Sequence, residues 1–200
     1  MRIQNLWPGG YASACYLISE GDTAVLIDCS APAAVVTAAL ADTGTHLAAI
    51  LLTHGHFDHL LSLLDVQEAT GAPIYIHERD LEMPADAHKN AFATFFGFDR
   101  HYPTPDHTFR EGEVLTFGEL TFRVLHTPGH TKGSSVFLLE DKAFTGDTLF
   151  SEGYGRCDLY GGDFATLRRS LERLSQLPAS NVIYPGHGDA STIGEAFRYL

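Results

Sequence analysis

The stretch Thr53-His54-Gly55-His56-Phe57-Asp58-His59 follows directly on the apolar run Ala48-Ala49-Ile50-Leu51-Leu52. Three imidazoles and a carboxylate crowd into the six residues 54–59, at the end of a strand-like segment. A strand running into a tight loop aims alternate side chains at one point, and histidine with aspartate is the donor mixture favoured by zinc and by iron or manganese. The stretch therefore outlines a metal site rather than a polar surface loop.

Three further fragments each follow a candidate strand: His130 in His126-Thr127-Pro128-Gly129-His130, Asp147 in Thr145-Gly146-Asp147-Thr148-Leu149-Phe150, and His187 in Tyr184-Pro185-Gly186-His187-Gly188. An aspartate, Asp28, also ends the early strand-like run Leu26-Ile27-Asp28. In this order, over nearly the whole length, the chain resembles the metallo-β-lactamase fold superfamily, and within it the small hydrolases related to glyoxalase II. An H-x-H-x-D-H run alone arises by chance, but rarely with the other three fragments at ordered distances.

The resemblance implies a ligand set. His54, His56 and His130 would hold a first metal and Asp58, His59 and His187 a second, with Asp147 bridging both. It also implies two divalent ions per chain, zinc being the expected metal and iron or manganese the alternatives, and it makes Asp58 and Asp147 the catalytic carboxylates. The spacing agrees, because His54 and His56 point the same way from extended chain, while Asp58 and His59 fall after the chain turns and face a second ion.

Two hundred residues, 44% of them apolar, suit one compact domain spanning 1–200 with a substantial core. The first residues lack the apolar core of a signal peptide, and no run approaches the roughly 18 apolar residues of a membrane span. A cytoplasmic protein is expected. Cys15, Cys29 and Cys157 form no C-x-x-C pair and leave an odd thiol, which argues against a disulfide framework or a zinc knuckle. Cys15 reads as a core residue, and Cys157 as structural because nothing nearby would activate it.

The formal charge of −12, from 25 acids against 13 bases, is the wrong footing for nucleic acid, whose binding depends on neutralised phosphates. At the site itself the balance reverses. Two divalent ions against Asp58, Asp147 and one hydroxide leave a local charge of about +1, so an anionic small molecule can be drawn in.

Short apolar runs alternate with helical patterns. Strands are predicted at 14–18, 23–28 and 48–53, and a helix from about Pro32 to Ala41, closed by Gly44, separates the last two. A second helix opens at His59, presents Leu60, Leu63 and Leu64 on one face, and ends before Gly71. Strand 74–77 follows. Segments 113–117, 120–126, 134–139 and 142–146 read as antiparallel strands, the last pair joined by a two-residue turn at Glu140-Asp141. Asp163 caps a helix carrying Leu167, Leu171 and Leu174; strand 182–184 leads to His187; Thr192 and Glu195 form a capping box. The pattern supports an α/β (α+β) fold with two sheets, and the resemblance implies the four-layer αβ/βα sandwich, with metals at the sheet edge. Residues 78–108, with Phe92, Phe95, Phe96 and Phe98, fit neither half. They read as an αα excursion packed on the core, or as a cover whose aromatic face contacts the acyl part of a substrate.

His46, His77, His88, His101, His107 and His126 lie outside the motifs and are read as solvated or structural. Asp28 is expected to orient a loop or a ligand imidazole from behind the metals. Arg156 and Asp158, in Gly155-Arg156-Cys157-Asp158, resemble a G-R-x-D element of small glyoxalase-like and persulfide dioxygenase members, and are expected to form a buried ion pair bracing the site. Gly153-x-Gly155 is no dinucleotide fingerprint, and no G-x-S-x-G nucleophile elbow occurs.

The chemistry implied is attack by a metal-bridging hydroxide, available at neutral pH because metal binding lowers the pKa of water from 15.7 towards roughly 7. A thiol of pKa about 8.5 leaves as thiolate with little help from an acid, which suits an S-acyl thiol such as S-lactoylglutathione. Glyoxalase II continues into a helical domain that supplies cationic contacts to glutathione, whereas this chain stops thirteen residues after His187. Lys132 and Arg156 are the nearest substitutes as substrate contacts, and bacillithiol, a coenzyme A fragment or a lactone compete with glutathione. The principal alternative is a mononuclear-iron persulfide dioxygenase using His54, His130 and Asp147. A β-lactamase fits less well, since those enzymes generally lack the carboxylate supplied here by Asp147. A non-catalytic scaffold is expected to have lost ligands, and none is lost.

Overall fold

The computed structural model describes residues 1–7 and 9–200, Tyr199 by its backbone alone. β1 (Arg2–Asn5), β2 (Tyr16–Glu20) and β3 (Thr23–Ile27) form an antiparallel meander. β3 is buried along its whole length, which suits its unbroken Thr-Ala-Val-Leu-Ile run, and β4 (His46–Leu51) pairs parallel on its other side. β5 (Ile74–His77) and β6 (His107–Phe109) continue in parallel, giving a first sheet of order β1-β2-β3-β4-β5-β6.

The second sheet is built from β7 (Val114–Phe117), β8 (Leu120–His126), β9 (Ser135–Leu139) and β10 (Lys142–Gly146), all antiparallel. β11 (Val182–Pro185) then pairs parallel with β10, and β12 (Ser191–Thr192) closes the edge. The β9–β10 turn is the predicted Glu140-Asp141, with Glu140 at a φ of 53°.

Strand periodicity sorts the core into three layers of contact. Ile18, Val25, Ile27 and Leu51 on the first sheet meet Phe122, Val124, Phe137 and Phe144 on the second. The opposite face of the first sheet, through Leu17, Leu26 and Ile50, packs on Val36 and Leu40 of α1 (Ala33–Thr43) and on Leu63 and Val66 of α2 (Leu63–Thr70). The opposite face of the second, through Leu125, Val136 and Ile183, packs on Leu167, Leu171 and Leu174 of α4 (Phe164–Leu174) and Ile193 of α5 (Ile193–Ala196). This is the four-layer αβ/βα sandwich.

Several local readings change. α2 starts at Leu63, after a 3-10 turn over Phe57–His59, and this turn rotates Leu64 outward to 50% exposure. The edge strands β1, β6 and β12 were not expected. Asp163 caps α4 as predicted, its carboxylate accepting from the Thr166 N–H at 2.7 Å. Thr192 accepts from the Glu195 N–H at 3.2 Å, but the Glu195 carboxylate takes the Ser191 hydroxyl at 3.3 Å. Residues 78–108 form no helix pair: they hold a 3-10 turn at Glu78–Asp80 and one five-residue helix, α3 (Phe92–Phe96). Among the described residues no helix is long and apolar enough to cross a membrane.

Candidate metal centre

The carboxyl ends of β3, β4, β10 and β11 open on one edge of the sandwich, and there the four sequence fragments converge. His54 Nε2 lies 3.1 Å from His130 Nε2, which lies 2.9 Å from His56 Nδ1. Beside this trio, His187 Nε2 stands 3.0 Å from Asp58 Oδ2, and His59 Nε2 3.9 Å from the same oxygen. Asp147 lies between the groups: Oδ1 is 3.3 Å from His59 Nε2, while Oδ2 is 3.6 Å from His130 Nε2 and 3.7 Å from His187 Nε2. All seven predicted ligands are thus brought together, as three overlapping sets of donor atoms.

The remote ring nitrogens are held from behind. His59 Nδ1 donates to Asp28 Oδ2 at 2.7 Å, and His54 Nδ1 to Thr53 Oγ1 at 3.1 Å. Thr53 Oγ1 in turn donates to Asp28, 2.9 Å from Oδ2, and the Thr53 N–H donates to Asp28 Oδ1 at 2.9 Å. His130 Nδ1 donates to the Arg156 carbonyl at 2.6 Å. With a metal bound, each of these bonds would keep the ring proton on the outer nitrogen and turn the inward lone pair to the ion. Asp28 thus contacts the outer nitrogen of His59 directly and that of His54 through the Thr53 hydroxyl.

Two divalent cations fit these residues. His59 Nε2 and Asp147 Oδ1, which both face the centre, are buried polar atoms with no protein hydrogen-bond partner, a costly condition in the absence of another ligand. A Cβ on Gly186 would overlap Asp147 Oδ1 and stand 2.7 Å from His59 Cε1, so only glycine lets the backbone pass this close to the donors. Burial and neighbouring imidazoles hold His54 well below the ordinary histidine range and His56 down to about 3; burial also lowers His130. All three are neutral donors at pH 7. At His59 burial pulls the same way, but Asp28, Asp147 and Asp58 outweigh it and hold the ring well above the ordinary value. Burial opposes ionisation of Asp147, yet His59, His130 and His187 keep its carboxyl far below the usual range. The centre thus pairs two ionised carboxylates, Asp58 and Asp147, with imidazoles that a cation would displace protons from.

The expected substrate contacts need correction. Arg156 and Asp158 do pair, at 2.6 and 2.7 Å, but their side chains are 49% and 66% exposed, so this is no buried brace. Arg156 braces the site through its main chain, at His130, while its guanidinium lies 5.5 Å over the Phe95 ring. Asp158 touches no ligand through this pair. Lys132 is exposed, donates to Tyr160 Oη at 3.1 Å and stands outside the cavity over the metal centre. That cavity, of about 330 Å³, is lined by His56, Asp58, His130, Asp147 and Arg156 together with Tyr11, Phe57, Ala91, Phe95, Phe96 and Leu159. Of the histidines read as structural, His77 and His126 stack on each other at 4.0 Å, away from the donors.

Sequence reasoning missed Asp80. This buried carboxylate accepts from the Thr131 hydroxyl at 2.6 Å, the Gly133 N–H at 2.6 Å and the Gly55 N–H at 3.3 Å, so it ties the loop carrying His54 and His56 to the loop carrying His130. One acid among the charges of His77-Glu78-Arg79-Asp80 gives no periodic or motif signal. Burial pushes its carboxyl up to about 6, against the pull of those three donors. The folded state thus binds this proton more tightly than the unfolded chain, whose aspartates titrate near about 4. Its contribution to stability is present below pH about 4, is lost as the pH rises to about 6, and is level above. The melting-temperature difference between metal-free wild type and Asp80→Asn is expected to fall across that window; a difference that is constant with pH would refute it.

Similarity to known proteins points the same way. The hydroxyacylglutathione hydrolase GloC of Haemophilus influenzae is 33% identical over 209 residues, covering 99% of this chain and 96% of its own. The B3 metallo-beta-lactamase BLEG-1 superposes with a TM-score of 0.92 at 31% identity, over 98% of this chain and 97% of its own. TTHA1623, in a di-iron-bound form, superposes with a TM-score of 0.84 at 35% identity, over 100% and 98%. A family model described as the metallo-beta-lactamase superfamily matches residues 8–187, and with this fold and donor cluster the chain belongs to that superfamily.

Proposed function

We propose that this protein is a dinuclear metal-dependent hydrolase of small anionic S-acyl thiols, working in the cytoplasm. The observation that carries the reading is the cavity itself. Its floor is the donor cluster, and beyond the donors its lining, among the described residues, holds no carboxyl or imidazole free to protonate a leaving group. Such a site favours a substrate whose leaving group departs as a stable anion, as a thiolate does.

His54, His56 and His130 would hold one ion and Asp58, His59 and His187 the other, with Asp147 reaching both. The ions, when bound, would supply an acidified water and a Lewis acid for the carbonyl. Asp147, fixed by burial, orients what lies between the two sets. Asp58 lines the cavity and its carboxyl is lowered, burial opposing this but His59 and His187 outweighing it, so it is ionised and positioned to take up a proton. In the reaction the acyl carbon gains the water oxygen, the C–S bond breaks, and a carboxylate, a thiol and one proton result.

The name of GloC supports a thioester, and the Arg156 guanidinium in the lining supports an anionic substrate. Three free thiols, two of them buried, agree with a reducing compartment. Zinc is the metal we expect, and the di-iron form of TTHA1623 makes iron its competitor. Protein purified without added metal should carry two ions per chain and cleave S-lactoylglutathione or another thioester faster than a lactone or a β-lactam. A single iron with oxygen consumption on a persulfide would replace this reading with the dioxygenase, and faster turnover of the β-lactam would align the protein with BLEG-1.

A further inference from the structure

The cavity has two chemically distinct parts. Its floor carries the charged donors, whereas one wall is a continuous aromatic cluster. Phe57 is buried at its base, with ring centroids 5.6 Å from Phe95, 5.5 Å from Phe96 and 6.0 Å from Tyr11, and Tyr11 stands 5.7 Å from Phe96. The upper rings are not packed away: Tyr11, Phe95 and Phe96 are 59%, 52% and 40% exposed. Contiguous apolar rings left open beside a reactive centre mark a surface that a ligand covers.

The wall offers little to a polar group. Ala91 and the phenylalanines have no side-chain donor or acceptor, so hydroxyls placed against them would lose water without replacement. Tyr11 Oη is the one polar atom of the cluster, and the Arg156 guanidinium, over Phe95, adds a further flat surface. Flat faces at this spacing accept a ring by offset or edge contacts and reward it beyond simple area burial.

We infer that the acyl group taken by this site is apolar and ring-bearing, an arylacyl group rather than a small hydroxyacyl one, and that Phe95 and Phe96 select it. The inference rests on the hydrolase reading for the substrate's reactive bond, but not for the binding surface. The acyl carbon then sits over Asp58 and Asp147 while the ring lies on the wall, and the thiol part extends towards the open side.

The test separates binding from turnover. Phenylacetyl and lactoyl thioesters of the same uncharged thiol, N-acetylcysteamine, are compared with metal-loaded protein, and phenylacetate and lactate are compared as ligands by calorimetry. The phenylacetyl thioester should show kcat/KM at least about tenfold above the lactoyl one, the scale on which apolar pockets discriminate. Phenylacetate should bind tighter than lactate by a similar factor. In the double variant Phe95→Ala/Phe96→Ala, changed at exposed positions, both preferences should collapse towards one. If phenylacetate binds tighter in the wild type and loses this in the double variant, yet neither thioester is cleaved, the wall stands and the hydrolase reading fails. Lactoyl preferred in either measurement, or preferences that survive the double variant, would overturn the inference.

Discussion

Asp147→Asn is expected to cut turnover by at least about a hundredfold while the protein stays folded. Asparagine keeps the shape of the side chain, so the contacts of Thr145 and Thr148 around it need not move. What it removes is the charge. Among the described residues of the centre, Asp147 is the carboxylate that reaches both donor sets, Oδ2 lying near His130 of the first and His187 of the second, and Oδ1 near His59 of the second. With two cations bound, as proposed, a neutral amide would leave them closer to full mutual repulsion and turn an NH₂ towards one of them where an acceptor is required. Both metal loading and the placing of water should suffer. The measurement is kcat at matched metal content, with melting to check the fold. Near-wild-type turnover in fully loaded Asp147→Asn would remove the bridging role.

The convergence of the His and Asp residues was legible in the sequence because metal chemistry restricts residue type and local geometry together. His54 and His56 on one side of extended chain, with Asp58 and His59 beyond the turn, is an arrangement readable without a fold. The cap at Asp163 and the hairpin at Glu140-Asp141 were legible for a similar reason, each being set by three or four neighbouring residues. Legibility ended where the answer depends on what lies across space. The sequence Arg2-Ile3-Gln4-Asn5 becomes β1 only because β2 presents an edge to it. Arg156 and Asp158, two apart, were rightly paired, but spacing carries no information about burial, and the pair is exposed. Asp80 is the clearest case, since its donors come from Gly55, Thr131 and Gly133, distant in sequence and ordinary in composition. The aromatic run at 92–98 was divided by the fold: Phe92 joins the core, and Phe95 and Phe96 face the cavity.

Asp28→Asn should weaken binding of the second ion by about 10–100-fold while leaving the His54, His56, His130 set largely able to bind. Asp28 occupies a left-handed backbone conformation, φ 57°, which asparagine tolerates and alanine does not, so the amide tests the carboxylate without straining the loop. In the wild type, Oδ1 accepts from the Thr53 N–H and Oδ2 from His59 Nδ1. An amide can satisfy only one of these donors. If its oxygen stays with the Thr53 N–H, its NH₂ meets His59 Nδ1, and the ring must move its proton to Nε2, the atom needed as a ligand. The reverse orientation sets NH₂ against N–H in a buried site, at the cost of an unpaired donor. Thr53 Oγ1 keeps Oδ1 as an acceptor at 3.1 Å, so His54 retains its partner, and His130 is held independently by the Arg156 carbonyl. Metal titration should therefore show two steps in the wild type, of which one is displaced to higher concentration in the variant while the other is unchanged. Equal affinity for both ions in the two proteins would mean that Asp28 supports the loop alone and does not set the tautomer of its neighbouring imidazole.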